Sequence, residues 1–304
     1  MMLFGTVPLG KLAVDGFFII SGYLILGSYL KVPRAWPYLK KRIARIYPAF
    51  LLATLFCVAV AAPLGGAVGS LAEPGVWLRS AGRALALMSP GVPGAFVGTP
   101  YPELNGSTWT IAYEFRCYLL VLALGMVGVF RRPFLIPAAA VICIILFKFP
   151  EFGWEKRLGS TFEHVLGDPR RTLRLTGDFL MGCTFYLYQD HVKYSAKWLA
   201  AAAVALIGCM FVPLLAEPAL ATLGAYLIFG FARWGSTGLL QSINNKNDVS
   251  YGVYLYAWPV TKIITWYWPS MPLLAVGMLT FGIAYGLGWL SWHCLEKPVM
   301  ERLR

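Results

Sequence analysis

Of the 304 residues, 58% are hydrophobic and only 13% are charged, about half the charged share that a soluble domain uses to cover its surface. A mean hydropathy of +0.64 therefore excludes an ordinary soluble globular protein and points to a chain covered by lipid. The net charge of +12 does not mark a nucleic-acid binder, because Lys and Arg stand mostly between apolar segments rather than in one stripe.

A bilayer core of about 30 Å requires about 20 apolar helical residues and forbids irregular lipid-facing backbone. Nine stretches qualify in chain order: Ala13 to Leu30, Ile46 to Leu64, Thr108 to Phe130, Phe134 to Phe149, Leu173 to Leu187, Lys197 to Leu215, Ala219 to Ala232, Val249 to Trp266 and Leu273 to Cys294. The predicted fold is all-α, a polytopic membrane protein of about nine transmembrane helices. No linker, composition break or repeat divides it, so 1–304 is read as a single membrane-embedded domain. Between the second and third spans, Val76 to Ser89 carries Trp77, Leu78, Leu85 and Leu87 beside Arg79 and Arg83. This predicts a helix lying at the interface, or else a plain loop helix.

The early sequence shows no cleavable signal pattern, since Lys11 is its only positive charge and the following apolar run continues into a polar motif. Alternating the spans with the start outside places fifteen Lys and Arg inside and nine outside, as inside-positive loops require. The expectation is a multi-pass plasma (inner) membrane protein with a cytoplasmic C-terminus. Six cysteines, Cys57, Cys117, Cys143, Cys183, Cys209 and Cys294, lie in or beside apolar segments without CxxC or histidine at ligand spacing. They read as small buried hydrophobes, with no metal site and no disulfide set.

Ionisable groups inside apolar helices are costly, so the few present are the candidates. In the first span Asp15 stands near the outer end and Ser21-Gly22 at mid-depth, either a close-packing face with an interfacial Asp or a functional pair. Next, Arg42 and Arg45 are three apart and share one helical face. They suit either a bidentate grip on phosphate or an ordinary cytoplasmic anchor. The third span opens on Asn105-Gly106-Ser107-Thr108-Trp109 and continues through Tyr113, Glu114, Arg116 and Tyr118. Glu114 and Arg116, two apart, point to different sides and do not pair easily. Glu114 is read as a catalytic carboxylate or as half of a buried ion pair with another helix. Ser250 to Pro259 contains Tyr251, Tyr254, Tyr256 and Trp258, by default an aromatic belt. Glu296-Lys297-Pro298 closes the last span as a polar helix end before a proline.

In this order, the stretches Val14 to Ile25, Arg42 to Pro48, Ser107 to Tyr118, Ser250 to Pro259 and Glu296 to Pro298 resemble the acyltransferase 3 family of integral-membrane proteins. That resemblance implies about ten helices and transfer of an acyl group, often acetyl, to sugars of surface polysaccharides, lipid-linked glycans or peptidoglycan. It implies acyl-CoA as donor substrate and no permanently bound cofactor; the partners would be acyl-CoA, a glycan or lipid-linked sugar and membrane lipid. Carried over by position, Arg42 and Arg45 would hold the donor's phosphates, and Glu114, the acid of a Trp-x-x-x-x-Glu element begun by Trp109, would orient or exchange protons. Asp15, Ser21, Trp109, Tyr113 and Tyr251 would support substrate or core.

The family supplies its basic histidine from a first membrane helix, whereas this chain begins just ahead of the second-helix motif. The expectation is a first helix encoded upstream of Met1, with a truncated, inactive homologue as the alternative. His164, His191 and His293 do not match that basic position and read as solvated or capping residues. A small-solute transporter is the remaining alternative, resting only on helix count and buried charge; no repeat symmetry between halves supports it.

Overall fold

A computed structural model describes residues 2–149, 166–235 and 247–302. His164 lies outside the described residues, as does most of the connection carrying it. The regular elements among the described residues are helices apart from a two-residue antiparallel pair, β1 (Met2–Leu3) and β2 (Val7–Pro8). The helices are α1 (Leu9–Lys31), α2 (Ala35–Leu64), α3 (Pro74–Leu85), α4 (Trp109–Met126) and α5 (Leu135–Lys148). They continue with α6 (Pro169–Leu187), α7 (Ala196–Met210), α8 (Pro213–Trp234), α9 (Ser250–Tyr267) and α10 (Leu273–Arg302).

Each of the nine predicted spans overlaps a helix, the sixth running from α7 across a break into α8. Five of these, α1, α2, α4, α8 and α10, are long and apolar enough to cross a membrane. α5 and α7 are apolar but shorter.

Three boundaries differ from expectation. α6 begins at Pro169 rather than Leu173, because the Asp168 side chain accepts the Arg171 N–H and Pro169 occupies the first helical position, the standard Asp-then-Pro start. The break between α7 and α8 falls at Phe211 and Val212 rather than near Glu217. Pro213 cannot continue α7 but can start α8, and Val212 before it is extended. α3 ends at Leu85, and Leu87, expected on that helix, follows it buried at φ +54°.

α2, α8 and α10 each contain a widened π turn, at Cys57–Ala61, Leu220–Gly224 and Trp292–Glu296. Pro63 and Pro298 each follow such a turn by two residues. A proline ring excludes the carbonyl four residues back. Those carbonyls belong to Ala59 and Cys294, inside the widened turns, so the bulge relieves the clash.

Two compact units divide the chain, one of Met1–Tyr38 with Tyr113–Gln241, the other of Leu39–Ala112 with Ser242–Arg304. In the first unit α1 crosses α6 at backbone contact. A Cβ on Gly22 would overlap the Phe179 carbonyl oxygen, and one on Gly182 would overlap that of Ile19. Small residues permit this approach, as expected for Ser21-Gly22. Beside it, Val7 joins Met210, Ala216 and Leu220 in an apolar cluster, with the Thr6 hydroxyl donating to the Met210 carbonyl at 2.6 Å.

In the second unit α9 meets α10 at Gly252 and Gly288, where a Cβ on the first would reach the second's Cα at 2.6 Å. Its apolar core gathers Cys57, Val58, Ala61 and Ala62 of α2 with Val76, Phe96 and Leu104. α3 turns Val76, Ser80 and Ala84 inward and exposes Trp77, Leu78 and Leu85. α10 leaves Leu273, Leu274, Met278, Phe281 and Leu290 exposed, an apolar face suited to lipid.

Candidate functional site

The candidate residues are distributed over both units. In the first, Asp15 is buried on α1 and meets Arg174 of α6, Oδ1 to Nη1 at 2.7 Å, with side chains 4% and 10% exposed. Asp178, one turn along α6, is buried as well. Nearby, Glu217 of α8 joins Lys11 and Lys148, the latter at 2.7 Å. Asp15 is thus not a bare packing residue; it belongs to a buried ion pair. Ser21, also buried, stands at the glycine crossing instead.

Glu114 is buried on α4 and accepts a hydrogen bond from the Tyr118 hydroxyl one turn on, whose carbonyl accepts from Tyr38 at 2.9 Å. The i to i+4 spacing makes this contact local to the helix. Arg116 points elsewhere: it donates to the Leu166 carbonyl at 2.7 Å and lies 5.0 Å from the Tyr113 ring centre. Glu114 and Arg116 do not pair, as their spacing requires. Tyr113 and Arg116 together pin the turn that leads into α6, where Gly167 at φ +78° has no room for a Cβ against the Tyr113 hydroxyl.

In the second unit Arg42 and Arg45 are both inside α2, one turn apart and half-buried. Arg45 pairs with Asp248 at 2.6 Å, and its guanidinium lies 5.5 Å from the Tyr251 ring centre. Tyr251 donates to the Ile46 carbonyl at 3.3 Å. Two motifs far apart in sequence, Arg42 to Pro48 and Ser250 to Pro259, therefore meet at Arg45 and Tyr251. Trp109 is half-buried at the start of α4.

The motif before α4 is also held by α9. The buried Asn105 donates to the Leu255 carbonyl at 2.8 Å and its side-chain oxygen accepts from the Ser107 N–H. Tyr254 donates to the Ser107 carbonyl at 2.7 Å, and Trp258 to that of Glu103 at 3.1 Å. The aromatic-belt expectation for Tyr251, Tyr254, Tyr256 and Trp258 is corrected here. Tyr256 is buried, and the other three spend their polar ends on protein carbonyls, which a lipid-facing belt would leave to headgroups.

At the end of α10, Glu296 is buried and accepts from the Ser291 hydroxyl at 2.8 Å. His293 lies on the same π turn, with Nδ1 2.9 Å from the Trp289 carbonyl, and His191 is exposed after α6. Cys57, Cys117 and Cys183 are buried, as small hydrophobes are, Cys143 and Cys209 are half-buried, and Cys294, expected to be buried, is exposed.

Sequence reasoning missed Arg174, Asp178, Glu217 and Asp248. Arg174 and Asp178 share a face at i and i+4, and the Asp168-Pro169 helix start would have placed Arg174 inside α6 rather than at its mouth. Asp248 stands three residues ahead of Tyr251, and nothing in the spacing connects it to Arg45.

A family model described as acyltransferase domain matches residues 1–292. An O-acetyl transferase of Shigella phage Sf6 is 26% identical over 321 aligned positions, covering 99% of this chain and 88% of that protein. No solved structure matches.

Proposed function

Because the chain belongs to the acyltransferase 3 family and is a membrane transferase, we propose that it moves an acyl group, acetyl in the first instance, from acyl-CoA to a hydroxyl of an envelope or exported glycan. The match over 1–292 carries the transferase reading, and the O-acetyl transferase of phage Sf6 supports acetyl transfer to oxygen. In this reaction the hydroxyl oxygen attacks the thioester carbonyl, the hydroxyl proton passes to a base, and coenzyme A leaves as the thiol.

Arg42 and Arg45, cationic and on one face of α2, are the proposed donor-phosphate residues. Planar forks grip phosphate oxygens bidentately, and the partly exposed Arg45 side chain leaves room for an incoming anion. Tyr251, against that guanidinium, and Trp109 are proposed to support this end of the site. Glu114 is proposed as the orienting or acid/base carboxylate, with its Tyr118 bond setting its rotamer, while Asp15, Ser21 and Tyr113 support the core. The plasma (inner) membrane is the proposed location, and the inside-positive charge distribution supports a cytoplasmic C-terminus there.

The test is transfer of labelled acetyl from acetyl-CoA to glycan in membranes carrying the full-length protein. Arg42→Ala is expected to abolish it at low donor concentration. Transfer that never appears, or that needs no Arg42, sinks the donor assignment.

A further inference from the structure

Four side chains on α9, Tyr254, Trp258, Lys262 and Trp266, stand four residues apart and share one face of the helix. Each of them holds the same segment of the loop between α3 and α4. The Tyr254 hydroxyl donates to the Ser107 carbonyl at 2.7 Å, and the Trp258 indole to that of Glu103 at 3.1 Å. Lys262 donates to the Thr99 hydroxyl at 2.7 Å and to the Tyr101 carbonyl, and its ammonium lies 5.0 Å from the Phe96 ring centre. Trp266 meets the Phe96 ring edge-on at 5.6 Å. Residues 96–107 thus form a strap that runs along α9 from Trp266 to Tyr254. Gly106 has no room for a Cβ against the Trp258 ring, which would lie 2.5 Å from it.

A connection longer than about 15 residues without helix or strand is usually functional, and loops fixed on a rigid scaffold are where binding groups sit. While the strap's backbone is pinned, two of its side chains turn outward. Tyr101 is 65% exposed, its ring edge-on to Trp258 at 6.3 Å, and Glu103 is exposed two residues on. A sugar presents a flat C–H face, which an aromatic ring covers, and hydroxyls, from which an ionised carboxylate accepts strong hydrogen bonds. A tyrosine that only anchors the chain in headgroups needs neither the carboxylate nor the clamp, and Glu103 would repel anionic lipid. In the proposed orientation the Trp266 end of α9 faces outward, the side from which an exported glycan is reached. Tyr251, against the proposed donor-phosphate arginine, stands eleven residues before Lys262, about 16 Å away along the helix.

We propose that Tyr101 and Glu103 form a subsite for a sugar of the acceptor, and that Lys262 is the positioning residue that fixes the strap carrying them. This rests on the reading of the acceptor as a glycan. In the subsite the Tyr101 ring stacks on the C–H face of the sugar and the Glu103 carboxylate accepts from its hydroxyls. Lys262 acts only through the strap.

The experiment is equilibrium binding to the purified full-length protein in lipid nanodiscs. One probe is the envelope polysaccharide of the cells that encode this chain, stripped of acetyl groups with mild alkali; the other is coenzyme A. Tyr101→Ala is expected to weaken polysaccharide binding about tenfold, and Tyr101→Phe, which keeps the ring, to bind like the parent. Glu103→Gln is expected to weaken it about tenfold as well. Coenzyme A affinity stays at the parent value in all three. Lys262→Met is expected to weaken the polysaccharide alone, with Lys262→Arg restoring part of the loss. Gel filtration establishes that each variant is folded, and the arginine variant keeps the positioning role testable if the methionine does not fold. Parent-like polysaccharide binding in Tyr101→Ala or in Glu103→Gln overturns the subsite. Equal weakening of both probes in Lys262→Met, or no change in either, overturns the positioning role. If the parent retains no more polysaccharide than empty nanodiscs, the glycan reading itself fails, and this inference with it.

Discussion

Asp15 and Arg174, with side chains only 4% and 10% exposed, show how a single charge inside an apolar bundle acquires its meaning. Removing one partner leaves the other buried and uncompensated, which costs about 3–5 kcal/mol. Asp15→Asn is therefore expected to lower the thermal unfolding temperature of the protein in detergent, and Asp15→Asn with Arg174→Gln to recover part of the loss. A single variant as stable as the parent would show the pair contributes nothing. Glu114 permits a separate test at the same scale. With its carboxylate in an acid/base or orienting role, Glu114→Gln should reduce labelled acetyl transfer by about 100-fold or more without changing coenzyme A affinity. Tyr118→Phe, which removes only the hydroxyl that bonds Glu114, should cost less. Equal activity in Glu114→Gln would assign that carboxylate to structure alone.

At the scale of the helix, glycines determine where backbones touch. Gly22→Ala and Gly182→Ala must open the α1–α6 crossing, since each new Cβ would overlap a carbonyl oxygen, and overpacking of this kind costs typically about 1–3 kcal/mol. Gly277→Ala and Gly282→Ala on α10 meet nothing within 4 Å and should be neutral or stabilising by up to about 1 kcal/mol, through helix propensity. Unfolding temperatures of the four variants side by side check this, and a crossing variant as stable as its α10 counterpart would contradict it. The helices themselves were legible, because every apolar run long enough to span overlaps a helix. Their ends were legible only where a proline or a cap carried the signal: Asp168-Pro169 and Pro213 set the true starts of α6 and α8, and hydropathy alone placed both several residues late. The π turns were not read from the sequence, although Pro63 and Pro298, two residues beyond those of α2 and α10, carry a signal for them.

Across the whole molecule, the inside-positive charge distribution predicts that a fluorescent protein fused after Arg304 glows while alkaline phosphatase at the same point stays silent. The reverse pair of results would invert the proposed orientation. The acyltransferase family was legible from ordered motifs spread along nearly the whole chain, and the match over 1–292 agrees with that spread. The site was legible only in part. Spacing put Arg42 and Arg45 on one face of a helix, which suits a phosphate grip and a cytoplasmic anchor alike. Asp248, Glu217 and Arg174 were not legible, because each acquires its role from a partner dozens to hundreds of residues away. Composition and periodicity alone determined that this is a helical membrane protein and which segments are helices, because a bilayer excludes nearly every other backbone arrangement. Tertiary structure alone decided which buried charges meet, that Tyr251 and Trp258 face protein carbonyls or a guanidinium rather than headgroups, and that Arg45 pairs with Asp248. Pairing of charges in an apolar interior depends on angstrom distances between helices, and no one-dimensional spacing encodes those.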